Sequence, residues 1–285
     1  MRTRLLTAAA AAATLTMTGL VAAPATASTG GTVDSANQYS AVGMIAFYSD
    51  GGRYRCTATL VDSDTLLTAA HCTDGTDGAT AVSFDWFIDD APPADLPVAS
   101  DPEAGYTDAE IESAGWLSGT AYTSPDYSDF TDMANWNDYG VIELDEPVTG
   151  IEPMSIAPVG TLDAIPTSQL RKTLFRAVGY GTEVRKAEEG PQKPTPMSYP
   201  MVRRYVDMPG QKLTPQILQT NGNPNDTAGT GGTCFGDSGG PLLLDGQIVG
   251  VTSFGYTSNC RYIDGYQRVD IQIAQDWLSQ YVDGL

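Results

Sequence analysis

The chain is short of positive charge, of histidine and of cysteine, and each shortage narrows what it can be. Its 285 residues hold 15 lysines and arginines against 35 aspartates and glutamates. From Cys56 to Leu170 there are 22 acidic residues and no lysine or arginine. A formal net charge of −20 repels phosphate and argues against nucleic acid as a partner. Its plain consequence is a solvated acidic surface, and its sharper one the steering of cationic substrates. There is one histidine, His71, so any step that needs an imidazole has a single candidate. Four cysteines allow at most two disulfides, in three possible connectivities. No segment after residue 27 is apolar enough to span a bilayer. No D-x-D-x-D-G calcium loop is present, nor an internal repeat or heptad pattern, and no metal or organic cofactor is expected.

What is present begins with an export signal. Arg2 and Arg4 precede an apolar stretch from Leu5 to Ala23, and Ala25-Thr26-Ala27 is a small-residue cleavage site. Residues 1–27 therefore read as a secretory signal peptide, which places the mature chain outside the cell. Their removal leaves 258 residues, enough for one large all-β domain or two small barrels, with a net charge of −22.

The chain is organised around Thr233-Cys234-Phe235-Gly236-Asp237-Ser238-Gly239-Gly240-Pro241. A nucleophilic serine needs a tight turn that exposes its hydroxyl and aims backbone N–H groups at a developing oxyanion. Flanking glycines permit that turn. Gly236 to Gly240 also fits the G-x-S-x-G elbow of α/β-hydrolases, but those need a histidine after the serine. The only histidine lies 167 residues before it, which leaves the order histidine, acid, serine.

Three motifs then agree. Thr68-Ala69-Ala70-His71-Cys72, Asn137-Asp138-Tyr139-Gly140-Val141-Ile142 and Gly236-Asp237-Ser238-Gly239-Gly240-Pro241 together resemble the chymotrypsin/trypsin-like serine proteases, from about Val42 to the C-terminus. The resemblance implies an all-β fold of two antiparallel six-stranded barrels with a short C-terminal helix. The protease domain would cover 41–285 after a polar segment at 28–40, with one barrel at about 41–160 and the other at about 161–285. It implies disulfides Cys56–Cys72 and Cys234–Cys260. It implies Ser238 as nucleophile, His71 as base and acid, and Asp138 as the histidine's partner, with Asp132 and Asp145 as nearby rivals for that role. The N–H groups of Gly236 and Ser238 would form the oxyanion hole. Ser253 would hydrogen-bond Asp138 and, with Gly232, Gly255 and Asp264, shape the substrate pocket. Gly232 stands where trypsin has a basic-specific aspartate, but Asp264 falls on the opposite wall, so cleavage after Arg or Lys is the expectation and a broad or apolar preference the rival. No Ile-Val-Gly-Gly terminus is present to pair with Asp237, which implies activity once the signal is removed, with Asp237 satisfied otherwise.

Short apolar runs between turn signals predict strands over Ala41–Tyr48, Cys56–Val61, Thr65–Thr68, Thr173–Gly181 and Gln247–Gly255. Residues 85–137, acidic and holding three of the four tryptophans, read as carrying inserted surface loops, and within them Gly119–Tyr127 resembles the strand and loop that precede the triad acid in that family. Glu152–Arg171 reads as a crossing between barrels, and Thr182–Pro200 as an exposed loop. Asp270 is expected to cap a final helix carrying Ile271, Ala274, Leu278 and Tyr281 at helical spacing. The function implied is a secreted, monomeric serine endopeptidase acting on polypeptides through an acyl-enzyme, with a protein protease inhibitor as a further partner and no membrane association when mature. The alternatives are a catalytically silent binding homologue and an esterase of small esters.

Overall fold

The computed structural model describes residues 31–90, 96–184, 197–223, 225–229 and 231–285. The signal peptide expected at 1–27 and most of the loop expected at 182–200 lie outside these residues.

Six strands close the first barrel: β1 (Val42–Ser49), β2 (Gly52–Leu60), β3 (Thr65–Thr68), β4 (Asp77–Ser83), β5 (Leu117–Thr123) and β6 (Gly140–Leu144). The first two form a hairpin through Asp50-Gly51, whose φ values of 50° and 70° give the mirror-image turn that matches strand twist. The order around the barrel is β1-β2-β3-β6-β5-β4, all antiparallel.

A second barrel follows, from β7 (Leu174–Gly179), β8 (Arg204–Leu213), β9 (Ile217–Asn221), β10 (Pro241–Leu244), β11 (Gln247–Gly255) and β12 (Ile263–Arg268). Its order, β7-β8-β9-β12-β11-β10, repeats that of the first, and β10 closes on β7. Thr32–Val33 adds a short outer strand to β8. The expected two-barrel architecture is therefore present. The strands β8 and β9 carried no sequence signal strong enough to place them.

Burial along β1 explains its unbroken apolar run. Ile45 and Phe47 point into a core that continues through Leu60, Leu67 and Val141 to Val178, Leu243 and Val251 of the second barrel. Met44, Ala46 and Tyr48 face outward, yet they too are buried, against Tyr106, Ile111 and Trp116. The stretch 85–137 holds the strand expected from Gly119 onward and is, for the rest, more than surface loops. It supplies the barrel strand β5, a helix α1 (Asp108–Ser113) with a Thr107/Glu110 capping box, and the cover over β1. Its strand Phe87–Asp89 pairs with Met201–Val202.

Residues 152–171 make the crossing, touching β11 at Ile156 and ending in a single turn, α2 (Thr167–Leu170). The final helix, α3 (Gln272–Leu278), buries Ala274 and Leu278. It sets Trp277 against Tyr139 of the first barrel, with ring centroids 5.5 Å apart. Asp270 does not cap it: Ile271 holds that position. The Asp270 carboxylate is buried and accepts instead from Arg268 Nε (2.9 Å) and the Leu162 N–H (2.7 Å). A charge with no access to water is drawn to a cation before it is drawn to a helix end.

One buried ion pair fastens the N-terminal segment. Arg203 and Asp34 are both fully buried, with Nε 2.9 Å from Oδ2. The guanidinium also donates to the Val42 and Phe84 carbonyls and to the Tyr180 hydroxyl. Asp34 accepts in addition from the N–H groups of Gln38 and Tyr39. Removing one partner strands the other charge in the interior. Arg203→Ala is expected to cost about 3–5 kcal/mol of stability, read from urea unfolding midpoints. The double variant with Asp34→Ala should lose less than the sum of the single losses.

Candidate active site

Strand pairing in the first barrel brings His71 and Asp138 together. Strands β3 and β6 are antiparallel neighbours, with Thr68 opposite Gly140. The end of one and the start of the other therefore share an edge, and each strand continues one short step to a polar side chain. His71 lies on a single 3-10 turn, Ala70–Cys72, tied back to β2 by the Cys56–Cys72 disulfide. Asp138 follows Asn137, whose left-handed φ of 46° turns the chain into the site.

Asp138 is wholly buried, and its carboxylate is held from several sides. His71 Nδ1 lies 2.9 Å from Oδ2 and 3.2 Å from Oδ1, and the His71 backbone N–H donates to Oδ1 at 2.9 Å. Ser253 Oγ donates to Oδ2 at 2.5 Å, and Trp136 Nε1 donates to Ser253 Oγ at 2.9 Å. The Asp138 N–H donates to Gln267 Oε1 at 3.1 Å. Trp136 and Gln267 were not foreseen, since neither belongs to a motif. The rival Asp132 is exposed and occupied by the Ala134 N–H and the Asn135 amide of its own loop. Asp145 is exposed just past the end of β6, the end opposite to Asp138.

Ser238 sits in a turn bounded by Gly236 (φ 98°) and Gly239 (φ 76°). A Cβ on Gly239 would lie 2.0 Å from Thr68 Oγ1, so the turn packs on the first barrel only without a side chain there. Thr57, beside Cys56, docks the two barrels at this point. Its N–H donates to the Ser238 carbonyl (2.8 Å) and its hydroxyl to the Gly236 carbonyl (2.8 Å). Cys234–Cys260 ties the same turn to the loop before β12. The buried Asp237 accepts from the Gly181 N–H (2.8 Å) and the Cys234 N–H (2.9 Å). Among the described residues, no carbonyl accepts from the Gly236 or Ser238 N–H.

Ser238 borders two cavities. One, of ≈ 350 Å³, also has His71, Gly236, Arg55, Tyr54 and Phe47 in its wall. The other, of ≈ 340 Å³, is lined by Thr233, Ser253, Phe254, Gly255 and Cys260. Gly232 and Asp264 are not on that wall. Asp264 is buried behind Thr233, accepting its N–H at 2.7 Å, and packs against Gly222 and Gly232. His71, Cys56 and Cys72 lie within 4.8 Å of one another, but both sulfurs are spent in a disulfide, so the cluster lacks thiolate ligands for a metal.

Burial pushes the Asp264 carboxyl up to about 7, against the lowering effect of the Thr233 hydrogen bonds. A carboxyl raised in the folded state binds more protons folded than unfolded. Stability is therefore lost as pH rises from about 4 to about 7. Asp264→Asn keeps an acceptor for Thr233 and has no charge to bury. It is expected to gain on the parent by up to about 4 kcal/mol between pH 4 and pH 8, measured by urea unfolding at both.

A family model described as Trypsin matches residues 29–278. Brachyurin of Leptuca pugilator is 32% identical over 232 residues, which make up 79% of this chain and 86% of that protein. A trypsin of Saccharopolyspora erythraea is 27% identical over 217 residues, 74% of this chain and 80% of its own. Among solved structures, an HL collagenase superposes with a TM-score of 0.59 over 88% of this chain and 97% of that one, at 17% identity. Human heparin binding protein gives 0.57 over 90% and 97%, at 16% identity. At such identities the structures speak for the fold alone, while the sequence matches carry the kinship: the chain belongs to the trypsin family of serine-type endopeptidases.

Proposed function

We propose that the protein is a secreted endopeptidase in which Ser238, His71 and Asp138 act as a catalytic triad. The observation that carries this reading is the buried Asp138 carboxylate on His71 Nδ1, with His71 and Ser238 in the wall of one cavity. Asp138 fixes the tautomer that leaves His71 Nε2 free as a base. As His71 takes the Ser238 proton, Oγ attacks the scissile carbonyl carbon. The Gly236 and Ser238 N–H groups receive the oxyanion. His71 then returns the proton to the leaving amine, and water, deprotonated by His71, attacks the acyl carbon so that the acid leaves and Ser238 Oγ regains its proton. Asp237 is satisfied by two backbone N–H groups, which supports activity without a newly freed ammonium. Residues 1–27 would be removed on export, leaving the polar segment 28–40 ahead of the domain 41–285.

For specificity, Asp264 supports cleavage after Arg or Lys. It is a buried carboxylate with no cation beside it among the described residues, which a substrate's positive side chain would compensate. Its position behind Thr233 favours the second reading, a broad or apolar preference set by Phe254, Gly255 and Thr257. Asp264→Ala separates them. Selective loss of turnover after Arg and Lys supports the first, and an unchanged profile the second.

Ser238→Ala and His71→Ala are each expected to lower kcat by about a million-fold with folding intact. A fluorophosphonate probe should label Ser238 in the parent and nothing in Ser238→Ala. Absence of labelling in folded parent protein would favour a silent binding homologue. Turnover of activated esters without peptide amides would favour an esterase.

A further inference from the structure

The hydrogen bonds behind Asp138 run in one direction, and their origin is an indole. An indole N–H only donates. Trp136 Nε1 reaches Ser253 Oγ at 2.9 Å, and that hydroxyl has one proton, which goes to Asp138 Oδ2 at 2.5 Å. Oδ2 is also the carboxylate oxygen nearer His71 Nδ1. Without the indole, the Ser253 hydroxyl is free to rotate, and a carboxylate with no water contact then keeps only His71 to set its rotation.

The indole has little freedom of its own. Its ring is wedged between Phe130 and Phe254, with centroids 5.2 Å and 5.3 Å away, and the residue is 6% exposed. The Trp136 carbonyl accepts from the Ser128 N–H, which ties it to the loop ahead of Asp138. Phe130 of that loop stands 5.4 Å from the His71 ring. The same loop therefore borders the histidine and fixes the serine behind its partner.

Resting on the triad reading above, we propose that Trp136 is a positioning residue for catalysis, acting through Ser253 on the Asp138 carboxylate. Its indole N–H holds the Ser253 hydroxyl in the orientation that holds Asp138 against His71.

The test is a double-mutant cycle on peptide hydrolysis. Trp136→Phe keeps an aromatic ring between Phe130 and Phe254 and removes the donor. It is expected to lower kcat roughly tenfold with KM unchanged, the scale of one lost hydrogen bond. Ser253→Ala should lower kcat to a similar extent, and the double variant should be no slower than Ser253→Ala alone. Replacing Trp136 with benzothienylalanine, which exchanges the N–H for sulfur at nearly constant shape, should reproduce Trp136→Phe and guards against a packing effect. Effects that multiply to roughly a hundredfold, a rise in KM at constant kcat, or parental kcat in the benzothienylalanine protein would each overturn the proposal. If the parent neither cleaves peptides nor takes the fluorophosphonate label, the triad reading itself has failed, and the inference falls with it.

Discussion

A single charge with no water around it, the carboxylate of Asp138, constrains how this molecule is built. With no access to solvent it has to be met by donors, since an isolated buried charge is far too costly to keep. The donors come from both barrels: the His71 N–H and imidazole from the first, the Ser253 hydroxyl from β11 of the second. Gln267 of β12 receives the Asp138 N–H and fixes the backbone beneath it. The seam between barrels is therefore set by polar geometry as well as by apolar packing, and the proposed triad lies on it.

The apolar core supports that seam. The cluster around Ile45 and Leu60 passes without interruption into Val178, Leu243 and Val251, so the first barrel's core is shared with the second, which also holds a core of its own around Phe175, Leu218 and Tyr266. Thr57 adds two hydrogen bonds from β2 to the serine turn, next to the cysteine that tethers the histidine turn. A displacement of one barrel would move nucleophile and base apart while exposing core. Tyr180 extends the linkage, since its hydroxyl contacts Arg203 while its neighbour Gly181 binds Asp237. A Cβ on Gly181 would lie 2.0 Å from that carboxylate, which explains the Gly-Tyr-Gly run.

The acidic stretch between His71 and Asp138 shows how composition misleads. Apart from the strand that the resemblance implies from Gly119, its charge, proline and glycine read as surface loop. In the fold most of its described carboxylates are exposed, while Tyr106, Ile111 and Trp116 cover the outer face of β1 and Trp136 reaches the site. Strand β8 was obscured for a related reason. Its Arg204 and Asp207 look incompatible with a barrel, but Glu183 pairs with the first and Arg176 with the second, at 2.7 Å each. Partners so distant in sequence cancel the polarity that a local reading counts against a strand.

The sequence by itself determined what local chemistry can encode. The serine turn declares itself through glycines, the histidine through its uniqueness and neighbours, and several strands through apolar runs bounded by turn residues. The cysteine pairing followed from resemblance, and both bridges are present. Only the tertiary structure decided that two halves without sequence repeat share one strand order, that Asp264 lies behind the pocket wall, and that Asp270 answers an arginine and not a helix end. It alone placed Trp136 behind Ser253, 117 residues away in the chain. The reason is physical: a side chain's role depends on which donors, charges and voids surround it after folding, and contacts across such separations leave no periodic trace in one sequence.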